Sequence, residues 1–369
     1  MANKPIVFLA CTGLGRINRG YESFARECYE TLKDTNDFSL YLIKGGGDKK
    51  QNEIVLPNLP RKNKFTIWLG KLVRKDSYIV EQATFCISLL PIIIKKKPVV
   101  IYYSDFILGT YLWHLRRIFK FKYKLLFSNG APNLPPYKTE DHVQQLLPVY
   151  VTKALAYGTA AEKLTLLPYG VNIDLQKSLD RTSESISFKK KFDLPLNKKI
   201  IISVGIINTT HKRMDYVVNE FAKLDQNEYF LLLLGQTDEE SDAIKKLAAE
   251  KLQKESYSIK QVTSEEVIDY MAASEYFILA SLNEGLPRVL PEALSNGLLP
   301  IVHDYPVTRQ TLGEFGVFKN LTVAGALSEA IKEVDAKGFV KKDIITYSWK
   351  NYSWENLKPG YRKMICEMV

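Results

Sequence analysis

Two carboxylates, Glu284 and Glu292, stand eight residues apart in the run Ser281-Leu-Asn-Glu284-Gly-Leu-Pro-Arg-Val-Leu-Pro-Glu292-Ala-Leu-Ser-Asn-Gly297. The run follows an apolar stretch at 276–279 and reads as a loop that opens a helix. A helix start points free backbone N–H groups and the positive end of the helix dipole forward, which is how such starts hold phosphates. Pro291 falls in the first helical turn, where its missing N–H costs nothing. Carboxylates beside a phosphate make little sense as charges. They make sense as acceptors for the hydroxyls of a sugar or ribose attached to that phosphate. The bland alternative is one loop carboxylate and one solvated helix-face residue.

The elements that must position these residues follow from periodicity. In the second half, short apolar runs at 199–204, 229–234, 259–262, 276–279 and 299–302 alternate with helical patterns at 215–223, 241–255, 263–274 and 288–296. Thr263-Ser-Glu-Glu266 matches a capping box. Continuous apolar strands between helices predict a parallel sheet covered on both faces. The first half repeats the rhythm, with strands at 6–10, 38–43, 99–103, 124–127 and 164–167 and helices at 21–32, 79–94 and 107–119. The prediction is α/β: two doubly wound, Rossmann-like domains at 1–172 and 199–348, a polar linker at 173–198, and a last helix at 349–369. Two such domains leave a cleft at the carboxyl ends of both sheets, where ligands bind in these folds.

Composition agrees with two globular domains: 369 residues, 46% apolar and 25% charged. Cys11, Cys28, Cys86 and Cys366 form no CxxC, which argues against a disulfide framework or zinc cluster and suits a reducing cytoplasm. No apolar run reaches the roughly 18 residues of a membrane span; the nearest, 86–94, is cut by Pro91 and stopped by Lys95, Lys96 and Lys97. The apolar stretch 5–10 runs into Gly13 and Gly15 and reads as a buried first strand rather than a signal core. The net charge of +10 is concentrated, since 61–124 holds 14 Lys/Arg against 3 Asp/Glu. Such an excess fits a solvated face, an anionic membrane, an anionic acceptor or nucleic acid. No zinc-finger spacing, RNP-type motif or recognition-helix pattern accompanies it, so nucleic acid is not an expected partner. Around 61–75 and 107–124 aromatics interleave with cations, which suits a headgroup layer, unless Trp113 and Phe119 belong to the core.

The stretch Glu284-Gly-Leu-Pro-Arg-Val-Leu-Pro-Glu292-Ala resembles the E-x7-E signature of the retaining, family-4-like glycosyltransferases of the GT-B fold (glycosyl transferases group 1). Arg19-Gly20-Tyr21-Glu22, Leu167-Pro-Tyr-Gly-Val-Asn172, Gly205 followed by His211-Lys212-Arg213-Met-Asp215, and Tyr352-Ser-Trp354-Glu are similar to other segments of that family, in the same order. The resemblance implies a GT-B enzyme that moves a sugar from a nucleotide-diphosphate sugar to a hydroxyl of a glycan or lipid-linked acceptor. Glu292 would then hold the donor ribose and Glu284 a hydroxyl of the transferred sugar. The backbone of Gly285, Leu286, Pro287 and Arg288 would line the sugar and diphosphate. Lys212 would neutralise the leaving diphosphate, with Gly205 beside it, and Gly20 would let the backbone approach the donor. No metal or other cofactor is implied, and the last helix would cross back onto the first domain.

Two positions depart from the family pattern. Ile206 stands where an Arg often follows the glycine, so Arg213 is expected to supply that charge. Ser128-Asn129-Gly130 stands where a His is common, leaving Asn129, or His142 nearby, as the cleft residue. The expected location is cytoplasmic, with the enzyme held peripherally on the inner face of a membrane. Two rival readings remain: another GT-B enzyme, such as a sugar phosphorylase or nucleotide-sugar epimerase, and a basic nucleic-acid-binding protein. The donor base, the sugar and the oligomeric state have no signal in the sequence.

Overall fold

The computed structural model describes residues 4–369 apart from positions 18, 132 and 337. The chain divides into two compact units, 1–172 with 354–369, and 173–353. The first unit runs β1 (Ile6–Cys11), α1 (Gly20–Leu32), β2 (Ser39–Lys44), β3 (Glu53–Val55), α2 (Lys64–Leu72), α3 (Ser77–Lys96), β4 (Val100–Tyr103), α4 (Phe106–Phe119), β5 (Lys124–Ser128), β6 (His142–Gln145), α5 (Pro148–Ala156) and β7 (Leu164–Leu166). These strands form one parallel sheet in the order β3-β2-β1-β4-β5-β6-β7. The second unit runs α6 (Leu175–Arg181), α7 (Ser185–Lys191), β8 (Lys199–Val204), α8 (Met214–Phe221), β9 (Tyr229–Leu234), α9 (Ser241–Lys251), β10 (Tyr257–Lys260), α10 (Ser264–Ala272), β11 (Tyr276–Leu279), α11 (Val289–Ser295), β12 (Pro300–His303), α12 (Pro306–Leu312), β13 (Val317–Lys319), α13 (Ala326–Ala336) and α14 (Lys341–Tyr352). Its parallel sheet has the order β10-β9-β8-β11-β12-β13. The chain then returns to the first unit as α15 (Trp354–Cys366).

Burial explains why the strands were visible as apolar runs. Ile200, Ile201 and Ile202 of β8 and Leu231 to Leu234 of β9 are all buried, because helices cover both faces of the sheet. The Thr263 capping box forms as expected: Thr263 N donates to Glu266 Oε2 at 2.8 Å, and Glu266 N returns to Thr263 Oγ1 at 3.2 Å. Strands β3, β6 and β13, of three or four residues, are too short to carry a period and were not foreseen.

Two expectations need correction. Residues 173–198 are not an open linker, since they fold as α6 and α7 within the second unit. Asp174 caps α6 by accepting from Lys177 N at 3.1 Å, Lys189 bonds Glu275 at 2.8 Å, and Phe192 stacks on Tyr270 at 3.9 Å. A few anchors among many charges hold this segment down, and composition averages them away. The second concerns the apolar run expected to be cut at Pro91: the helix foreseen at 79–94 is α3, which is 20 residues long and has Pro91 inside it. By length and composition it is apolar enough to cross a membrane. In the fold, Phe85, Leu89 and Ile93 are buried in the core of the first unit.

Candidate functional site

In the second unit the strand order reverses between β8 and β11. Open α/β sheets bind ligands at the carboxyl ends of their strands at such a reversal. Two loops leave the sheet there, 205–213 after β8 and 280–288 after β11.

The first loop is built on backbone contact and a buried amide. A Cβ on Gly235 would lie 1.6 Å from the Gly205 carbonyl oxygen, so the ends of β8 and β9 touch main chain to main chain. Gly205 has φ 156, and a Cβ there would meet Lys212 Cε at 2.8 Å, so the lysine stem lies across the glycine. The buried Asn208 shapes the turn. Its Oδ1 accepts from Lys212 N at 2.9 Å and its carbonyl from Met214 N at 2.9 Å, while its Nδ2 donates to Asp238 at 3.1 Å. Glu240 accepts from the Thr209 hydroxyl and from Thr209 N (2.7 Å), and from the Thr210 hydroxyl (2.9 Å) and Thr210 N (3.0 Å). Those bonds, the Thr209 hydroxyl first, hold its carboxyl down at about 2, so Glu240 is an ionised clamp at neutral pH. Asn208 and Glu240 were not singled out from the sequence. The available signal was an Asn followed by a tight loop before a helix, the setting of an Asx turn.

The second loop meets the first. Lys212 Nζ forms an ion pair with Glu284 Oε1, with the two side chains only 13% and 10% exposed, and the exposed His211 approaches Glu284 Oε2 at 3.7 Å. Seventy-two positions separate Lys212 from Glu284 in the chain. The reversal of strand order brings them together. Gly285 is half-buried, and Leu286, Pro287 and Arg288 are buried and lead into α11, with Arg288 at its N-cap. Pro291 lies in the first turn, as expected, and its carbonyl accepts from the buried Ser348 hydroxyl at 2.7 Å. Glu292 is the fourth residue of α11 and half-buried. The hydroxyl of Ser281, 1% exposed at the head of this loop, has no hydrogen-bond partner among the described residues.

Arg213 is placed differently from Lys212. Its guanidinium lies 4.7 Å over the Tyr216 ring and donates to the carbonyls of Leu321 (2.8 Å) and Ala280 (3.3 Å). Its charge braces α8 against the fold's own carbonyls.

The remaining expected residues belong to the first unit. Asn129, 1% exposed after β5, donates from Nδ2 to Tyr137 (2.9 Å) and Gln145 (3.0 Å), and its Oδ1 accepts from Asn133 N at 3.1 Å. Both ends of the amide are engaged in holding the loop that follows, so Asn129 is a brace rather than a group open to substrate. His142 is the first residue of β6, at the amino end of the strand, with Nε2 2.7 Å from Thr165 Oγ1. Burial lowers its pKa, and it stands at the amino end of an inner strand, paired with β5 and β7, away from the strand ends that bind ligands. Gly20 starts α1, and a Cβ there would meet nothing within 4 Å. The sterically demanding glycines near it are Gly15, with φ 87 and a would-be Cβ 2.2 Å from the Gly46 carbonyl oxygen, and Gly45, where a Cβ would lie 2.2 Å from the Thr12 carbonyl oxygen. Among the described residues, no three His, Cys, Asp or Glu side chains gather as metal ligands would.

The model of the family "Glycosyl transferases group 1" matches residues 184–347, all within the second unit. A Bacillus subtilis protein, TuaC, named for a glycosyltransferase role in teichuronic acid biosynthesis, is 25% identical over 184 residues. That match covers 49% of this chain and 43% of TuaC, so it spans less than half the length of the relative. Three solved structures share the fold. Sucrose-phosphate synthase from Thermosynechococcus elongatus has a TM-score of 0.79 at 16% identity, covering 99% of this chain and 100% of that one. A glycosyltransferase from Rickettsia africae gives 0.75 at 19%, covering 99% of each chain. HepE from Anabaena, in complex with UDP-glucose, gives 0.75 at 12%, covering 98% of this chain and 99% of that one. The architecture is the GT-B fold.

Proposed function

We propose, from the match of residues 184–347 to the model of the glycosyl transferases group 1, that the chain transfers a sugar from a nucleotide-diphosphate sugar to a hydroxyl acceptor, with retained anomeric configuration. The carrying observation is the Lys212–Glu284 pair at the reversal of the second sheet. Before donor arrives, Glu284 holds the ammonium over the loop that opens α11. When a diphosphate occupies that place, its negative charge competes for Lys212, and Glu284 turns to a sugar hydroxyl. As the sugar–phosphate bond breaks, charge grows on the diphosphate oxygen, and a cation fixed beside it lowers the barrier. The leaving diphosphate takes the acceptor's proton, so neither Asn129 nor His142 is needed as a base, and no metal is required. UDP-sugars are the first donors to test, because HepE binds UDP-glucose.

A thermal-shift screen against UDP-, GDP- and ADP-sugars tests donor binding. A ligand at a hundred times its dissociation constant stabilises by about 2.7 kcal/mol. Incubation with a radiolabelled donor then separates transfer from epimerisation or phosphorolysis, and no shift with any donor would refute the reading. Glu292→Ala is expected to weaken donor binding about 10- to 150-fold, the loss of a charged hydrogen bond worth roughly 1.5–3 kcal/mol. Titration of the variant with the donor found in the screen checks it, and wild-type affinity would remove Glu292 from the ribose site.

The acceptor side of the proposal is an anionic membrane surface presenting a glycan or lipid-linked precursor. On α2, Phe65, Trp68 (56%) and Leu72 (64%) are exposed among Lys62, Lys64, Lys71, Arg74 and Lys75. The 107–124 stretch is less suited than expected, since Arg116 pairs with Asp141 and Arg117 lies over the half-buried Trp113, although Phe119 is exposed. Each engaged basic residue contributes about 1 kcal/mol at such a surface. Vesicles containing phosphatidylglycerol should therefore sediment the protein at low salt and release it at high salt. Reversing Lys62, Lys64 and Lys71 to Glu should abolish sedimentation; unchanged sedimentation would exclude α2 as the contact.

A further inference from the structure

A second basic feature lies on the first unit away from α2. A cavity of 440 Å³ opens beside the edge strand β3, and four lysines line it: Lys49, Lys50, Lys95 and Lys96. Its volume is that of a site for a small molecule or a short oligomer. From these residues we infer that the cavity binds a segment of an anionic saccharide, through carboxylate or phosphate groups carried on the sugar units.

The lysines do not merely guard an edge. Cations that protect an edge strand sit on the strand itself, whereas β3 reads Glu-Ile-Val. Here they converge from two elements, the 45–52 segment that crosses from β2 to β3 and the last turn of α3. Lys96 is held in place by the Tyr41 ring, 3.9 Å from its Nζ. The carboxyl end of α3 offsets about half a charge. The single acidic residue of the lining, Glu53, is buried and already matched by Lys44 and by Arg26 at 2.5 Å. Burial pushes the Glu53 carboxyl up, but the bonds from Arg26 and Lys44 outweigh it and hold it below the usual carboxylate range. The cavity therefore keeps a large positive excess.

Shape decides between anionic ligands. A bilayer presents a broad surface and engages protruding side chains, as α2 offers. A concave site with ammonium groups around its rim takes a ligand that enters it, and lysines act on carboxylate or phosphate as point charges without demanding one geometry. This lining lies near the amino end of β4, where α3 ends, and not at the strand ends that bind ligands in this sheet type. It would hold a part of the acceptor or product chain remote from the reacting hydroxyl. The choice of a saccharide rests on the glycosyltransferase reading, but binding here needs no transfer.

The test is titration calorimetry with tetragalacturonate, with uncharged maltotetraose as control, at low and high salt. Tetragalacturonate should bind with an affinity that falls as salt rises, and maltotetraose should bind at least tenfold more weakly. The triple variant K49E/K50E/K95E, all exposed positions, should lose at least tenfold in affinity while keeping the wild-type melting temperature and donor-induced thermal shift. Equal affinity of the variant, or equal binding of maltotetraose, would overturn the site. So would phosphatidylglycerol vesicles binding in a manner lost in the triple variant while tetragalacturonate does not bind. Loss of the donor-induced shift in the wild-type protein would instead remove the glycosyltransferase reading and leave the saccharide titration to stand by itself.

Discussion

Lys212→Met is expected to lower kcat by about 10²- to 10³-fold, the usual loss when one preorganised charge partner of a transition state is removed. The side chain lies across Gly205 and pairs with Glu284, so its position is set before any donor binds. The prediction must be separated from a stability effect. Removing one member of a nearly buried ion pair leaves the other uncompensated, which costs about 3–5 kcal/mol in well-buried cases. The double variant K212M/E284Q makes the separation. If Lys212 serves only to balance Glu284, neutralising both restores folding and much of the activity. If Lys212 stabilises the leaving diphosphate, folding recovers and kcat stays low. Steady-state kinetics and melting curves on Lys212→Met, Glu284→Gln and the double variant decide it, and near-wild-type kcat in the double variant would sink the assigned role.

Trp354→Ala should destabilise the first unit by about 3–5 kcal/mol, the cost of deleting a large buried aromatic. Trp354 begins α15 and is 5% exposed. It stacks at 5.8 Å on Phe24, which itself stacks at 3.9 Å on Tyr169, and its Nε1 donates to Glu27 at 2.8 Å. A Cβ on Gly170 would meet its ring at 2.4 Å, so the helix is seated directly on the main chain. Two turns further along α15, the Tyr361 hydroxyl donates to the Pro168 carbonyl at 2.7 Å and accepts from Gln144 at 2.9 Å. For a unit of this size each kcal/mol moves the melting temperature by about 2–4 °C, so a drop on the order of 6–20 °C is expected by calorimetry. Trp354→Phe keeps the stack, loses the bond to Glu27 and should fall in between. An unchanged melting temperature in Trp354→Ala would mean that α15 is not part of this unit's core.

The same residues separate what was legible in the sequence from what was not. The strands around the donor-side loops were readable because buried parallel strands are continuous apolar runs, and Ile200 to Ile202 or Leu231 to Leu234 are apolar on both faces. Local chemistry was readable too, in the Thr263 box and in Pro291 in the first turn of α11. Each of these depends on neighbours within about one turn of chain.

Tertiary structure decided whatever depended on distant partners. Asn129 carried the right chemistry for a sugar contact, and only its bonds to Tyr137, Gln145 and Asn133 show that its amide is engaged. Lys212 and Arg213 are adjacent and equally charged, yet one reaches Glu284 and the other turns back to Leu321 and Ala280. Residue type sets what a side chain can do, and the partners within reach set what it does. For Lys212 that partner lies 72 positions away, brought close by the reversal of strand order between β8 and β11, a property of the whole sheet that no local stretch of sequence contains.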